Sequence, residues 1–92
     1  MDAKKIGDLL ATLEAQLHSQ GENNWIRGVR AARQALQQPD GLDDARSIYA
    51  TITKGVNSFA DYNIWHDDFD VRRKLNGEVD RLRRELWTEF EL

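Results

Sequence analysis

Val71, Leu75, Val79, Leu82, Leu86 and Phe90 recur at intervals of three and four residues. This is the strongest periodic signal in the chain, and it constrains the fold more than any other feature. The spacing keeps six apolar side chains on one side of a 3.6-residue helix, which must then find an apolar surface to cover it. It predicts a helix from about Phe69 to Glu91, with Asp67, Asp68 and Asp70 crowded at its electropositive start. Asp80 with Arg84, and Arg81 with Glu85, stand four apart and are expected to pair along its surface.

Three more segments carry the same period. From Ala3 to Ser19, Ile6, Leu9, Leu10, Leu13 and Leu17 form one face, and Gly21 is the expected stop. From Trp25 to Gln37 the stripe is Trp25, Val29, Ala32 and Leu36, with Asn23 or Asn24 as N-cap. Gly28 interrupts that stripe, either at a cost in helix propensity or to admit a neighbouring helix. Pro39-Asp40-Gly41 marks a turn. The next helix, Leu42 to Lys54, presents Ala45, Ile48, Tyr49 and Ile52, with Asp40 and Asp43 placed for a capping box and Gly55 as its stop. Four helices with short connections predict an all-α protein, a compact antiparallel bundle forming a single helical domain over residues 1–92.

The segment from Gly55 to His66 fits no regular period. It is rich in aromatics yet opens on turn residues, so it is expected to pack down as an aromatic loop before the last helix, with Ser58 capping a short helical turn. Phe59, Ile64 and Trp65 are expected to plug the open end of the bundle, and Asp61, Tyr62 and His66 to remain exposed.

Composition narrows the functional classes. With 40% hydrophobic and 32% charged residues, the chain suits a folded domain better than a disordered one. The absence of cysteine excludes disulfides and thiolate metal sites. No apolar run is long enough to span a bilayer, and the first residues lack the apolar core of a signal peptide, so a cytoplasmic protein without membrane contact is expected. The net charge of -3 disfavours general nucleic-acid binding.

Four features could carry chemistry. His66 beside Asp67, Asp68 and Asp70 has the residue types of a divalent-metal or acid–base site, and would be the centre of a small metal-dependent hydrolase. Neighbours in sequence seldom converge on one ion, however, and helix capping is the expected use of these acids, with no metal and no cofactor. Arg27, Arg30 and Arg33, with Arg72-Arg73-Lys74, could hold a nucleic acid or another anionic ligand. In an acidic chain the alternative is a solvated face paired with neighbouring carboxylates. Trp87 projects away from the apolar stripe, as an interface anchor or under the guanidinium of Arg83. The aromatic loop, finally, offers acidic and aromatic groups together, which suits a protein partner. No nucleotide-binding loop, nucleophile triad or zinc-protease spacing is present, so an enzyme is not expected.

Gly55-Val56-Asn57-Ser58-Phe59-Ala60-Asp61, followed by Ile64, Trp65, Asn76 and Leu82-Arg83, resembles a group of small bacterial helical proteins with a Gly-x-x-Ser-aromatic-x-Asp segment before a final helix. Small acidic proteins of this kind are similar to immunity proteins, which neutralise a toxin by direct binding. The resemblance covers the last half of the chain and implies a protein-interaction role, with a cognate toxin as partner. Asp61, Tyr62, His66, Asp67, Asp68 and Trp87 are the candidate partner-binding residues. A symmetric contact through Trp87 and Phe90 would instead give a homodimer.

Overall fold

The computed structural model describes residues 1–92, and all of its regular secondary structure is helical. Its elements are α1 (Ala3–Ser19), α2 (Trp25–Ala35), α3 (Leu42–Ile52), one 3₁₀ turn (Phe59–Asp61) and α4 (Phe69–Glu89). The predicted four-helix bundle is the observed fold. α1 packs on both α2 and α4, and α2 packs on α3. α3 and α4 make no comparable helix–helix contact, and the segment between them is fastened to α4 through Asn76 and Arg83.

Local chemistry sets each boundary. The Asp2 carboxylate accepts from the Lys5 amide at 3.1 Å to start α1. At its end Gly21 adopts φ +67, the Gly21 amide donates to His18 and the Glu22 amide to Leu17, a Schellman stop. Two expected caps are corrected. Asn24 has helical backbone angles and makes no side-chain cap. The Glu22 carboxylate accepts from the Asn24 and Ile26 amides instead, at 3.0 and 2.8 Å. The Asp40–Asp43 box is absent too: Asp40 turns left-handed at φ 60, and the cap position falls on Gly41 without a side-chain bond. Glycine is required at 41, because a Cβ there would lie 1.7 Å from the Ala35 carbonyl oxygen.

All five apolar residues expected from α1 are buried, with Val29, Ala32, Ala45, Tyr49, Val79, Leu82, Leu86 and Phe90. Ile26, outside the expected α2 stripe, is buried as well, whereas Val71 at the start of α4 is exposed. Gly28 admits the neighbouring helix: a Cβ would come within 2.6 Å of Ile52 Cγ2. Across the α3–α4 flank, Phe90 stacks on Tyr49 at 5.5 Å, and Arg46 donates to the Phe90 and Glu91 carbonyls at 2.8 and 3.0 Å. Phe90 has no exposed surface and cannot supply the outward half of a Trp87–Phe90 contact.

Candidate interaction surface

The aromatic segment is held along α4 by two polar clips. Asn76 accepts from the Ile64 amide at 2.7 Å and donates to the Ile64 carbonyl at 2.9 Å, so both backbone groups of one residue are satisfied by one side chain. Arg83 donates to the carbonyls of Phe59 and Tyr62 at 2.6 and 2.9 Å, pairs with Asp80, and lies 5.3 Å from the Phe59 ring centroid. Arg83 is therefore over Phe59, and not over the Trp87 indole. It also takes the Asp80 carboxylate expected to meet Arg84, while Arg81 bonds Glu85 as expected and Glu78 in addition.

Ser58 caps the 3₁₀ turn, accepting from the Ala60 amide at 3.3 Å and donating to the Gly55 carbonyl at 2.7 Å. Phe59 is fully buried, its ring 6.0 Å from those of Trp25 and Tyr62. Tyr62 is half-buried, and loss of solvent raises its phenol pKa, with a further push from the Glu22 charge and a smaller opposing pull from Arg83.

After the 3₁₀ turn Tyr62 is extended, the chain follows no regular secondary structure, and burial alternates. Tyr62 and Ile64 face the bundle, while Asn63 and Trp65 face solvent. Trp65 is 74% exposed, which corrects its expected role as a core plug. Asn76 pins Ile64 inward, and the next residue faces out. The Arg72 guanidinium sits 4.6 Å from the Trp65 ring centroid and 5.3 Å from that of Phe69, itself 62% exposed. The result is an outward tip of two aromatic rings with an arginine between them.

The candidate acids divide by use. Asp61 is exposed but accepts from the Asn57 amide at 2.8 Å, closing its own turn. Asp68 is the N-cap of α4, accepting from Val71 at 3.0 Å. His66 is exposed and its Nδ1 accepts from the Asp68 amide at 3.0 Å. Asp67 is exposed and makes no hydrogen bond or ion pair. No three His, Asp or Glu side chains converge to hold a metal ion. The structure thus brings His66, Asp67 and Asp68 beside the Trp65–Phe69 tip. Trp87 stands apart, 18 residues and about five turns from Phe69 along α4.

The basic face is largely engaged. Glu14 meets Arg30 at 3.1 Å and Arg33 at 2.9 Å, and Arg27 bonds Asn24 at 3.3 Å. Arg72 is on Trp65, and Arg73 lies 3.8 Å from Asp70. Trp87 is 47% exposed and walls a shallow groove of about 400 Å³ with Tyr49, Thr53, Ala60 and Arg84.

Sequence reasoning missed Phe69 as a surface residue and Arg72 as its bridge. A signal was present: Phe69 lies off the Val79–Leu82–Leu86 stripe and shares its azimuth with Trp87. No helix is long and apolar enough to cross a membrane. No protein-family model matches the chain, and neither the curated proteins nor the solved structures contain a match to it.

Proposed function

We propose that this chain is a protein-interaction module of the immunity type, which neutralises a cognate bacterial toxin by occupying its surface in the cytoplasm. The observation that carries the reading is the tip: Trp65 and Phe69 exposed side by side, bridged by Arg72 and bordered by the free carboxylate of Asp67. Tryptophan and arginine dominate the binding energy of protein interfaces, and a large ring left in water gains most from being covered. Asp67, with Asp61 and Asp68, favours a partner whose rim is basic, where complementary charge speeds encounter. The engaged Arg30 and Arg33 make the anionic-ligand reading weaker.

Co-expression tests it. The products of the genes adjacent to this one are made with and without the chain, and growth and complex formation are measured. The expected result is one toxic product whose toxicity is relieved and which co-purifies in a fixed ratio. Trp65→Ala is expected to weaken that complex about thirtyfold, corresponding to about 2 kcal/mol. Absence of any toxic or binding neighbour would reject the reading.

A further inference from the structure

The solvent side of α4 carries a second pattern. Arg73, Gly77, Asp80, Arg84 and Trp87 recur at intervals of four, three, four and three residues, and Glu91 follows just past the helix end. All six are exposed. At 3.6 residues per turn the five on the helix form one stripe, opposite the Val79–Leu82–Leu86 face that packs on the bundle, while Glu91 is left-handed at φ 57 and pairs with the N-terminal amine at 3.2 Å.

The order within this stripe reads as its own complement. Run antiparallel to itself with the midpoint at position 82, it sets Asp80 against Arg84 and Gly77 against Trp87. Each opposition joins unlike charges, or a large ring with a bare backbone. Gly77 leaves open space: a Cβ there would meet nothing within 4 Å. Trp87 is 47% exposed. Arg84 has no carboxylate within ion-pair distance in its own chain, and the Asp80 oxygen that does not meet Arg83 has no partner. A parallel pairing in register would instead set Asp80 on Asp80 and Arg84 on Arg84, so charge selects the antiparallel one.

We propose that the outer face of α4 is a self-association surface, on which a second copy of this chain packs α4 antiparallel across a two-fold axis. The Trp87 indole of each copy seats over Gly77 of the other, and Asp80 pairs with Arg84 across the axis. The contact is isologous, so every interaction occurs twice. Trp65 and Phe69 lie beyond the end of the facing helix and stay free. This surface is independent of the toxin-binding reading. A contact of one helix per copy is smaller than the ~1,200 Å² at the low end of standard interfaces, so dissociation at tens of micromolar, on the order of 10 to 100 µM, is expected.

Sedimentation equilibrium over about 1 µM to 1 mM tests it, a range that brackets such an affinity. The wild-type chain is expected to shift from monomer to dimer. Gly77→Arg should fill the seat and move the midpoint at least about tenfold upward, while circular dichroism shows an unchanged or firmer helix, since any residue but proline improves on glycine there. Trp87→Ala should do the same, Arg84→Glu should shift the midpoint severalfold, and Trp65→Ala should leave it in place. A chain that stays monomeric throughout would overturn the proposal. So would a dimer indifferent to both Gly77→Arg and Trp87→Ala, or one lost on Trp65→Ala.

Discussion

Phe59 and Trp65 sit six residues apart in one aromatic segment, and the structure treats them as opposites. Phe59 is fully buried, and Trp65 is 74% exposed. Hydrophobicity does not separate them. Backbone attachment does: Arg83 binds the carbonyls of Phe59 and Tyr62, and Asn76 binds both backbone groups of Ile64. These clips fix which residues of an irregular stretch face inward, and Trp65, next to the pinned Ile64, is left facing outward. A segment can thus be half core and half surface without any change in composition.

The contrast breaks most sharply by truncation. Phe59→Ala is expected to cost about 3 to 5 kcal/mol of unfolding free energy, because it empties a site lined by Trp25, Tyr62 and the Arg83 guanidinium. Urea denaturation followed by circular dichroism measures this. A loss below about 1 kcal/mol would mean that the segment is not part of the core.

The clips come next. Arg83→Met keeps much of the stem but removes the charged donors, and is expected to cost about 2 to 3 kcal/mol, given the strength of hydrogen bonds to charged groups. Hydrogen exchange separates this from a general weakening. Amides of residues 59–64 should lose protection more than those of α1. Equal loss in both would show that Arg83 supports the whole bundle rather than the segment.

How much of this was legible in the sequence follows from the same physics. Helical periodicity is local, so all four helices were readable, α1 with both ends as observed and α2 to α4 running two residues long at their C-terminal ends. Capping chemistry was half readable: Ser58 and Asp68 act through their own turns as expected, but the Asp2 cap of α1 was not anticipated, and Glu22 displaces the asparagines because Asn24 has turned helical. The Trp65 error is of another kind. Nothing within the segment states that a residue twelve positions later, Asn76, will pin Ile64 inward. Of the candidate site, His66, Asp67 and Asp68 could be named from the acidic residues beside an aromatic loop, whereas Phe69 and Arg72 become a surface only beside Trp65.

Tyr49 extends the comparison to pH. Burial raises its phenol pKa well above the ordinary value near 10, with the Arg83 charge opposing weakly, and its hydroxyl faces the Arg83 carbonyl at 3.5 Å. The folded chain therefore keeps a proton that the unfolded chain releases. Stability should be intact below pH 10 and fall above it by about 1.4 kcal/mol per pH unit until the folded phenol also ionises. Tyr49→Phe should flatten most of that slope, leaving the smaller contribution of half-buried Tyr62, which has the same sign. An unchanged alkaline slope in Tyr49→Phe would place the ionising group elsewhere.

The smallest expected effect is the stability change on Trp65→Ala, and its smallness separates surface from core. The ring gives up little burial on truncation, because most of it already faces water. What remains is its contact with Arg72, a cation–π arrangement of about 0.5 to 1 kcal/mol at an exposed site. Thermal unfolding should therefore shift by only a few degrees, on the order of 4 to 8 °C per kcal/mol for a domain of this size. Phe69→Ala should behave alike, since Arg72 shares itself between the two rings. The double variant should then lose less than the sum of the single ones, because one arginine serves both. A loss on Trp65→Ala approaching that of Phe59→Ala would return Trp65 to the core and remove the tip as a binding surface.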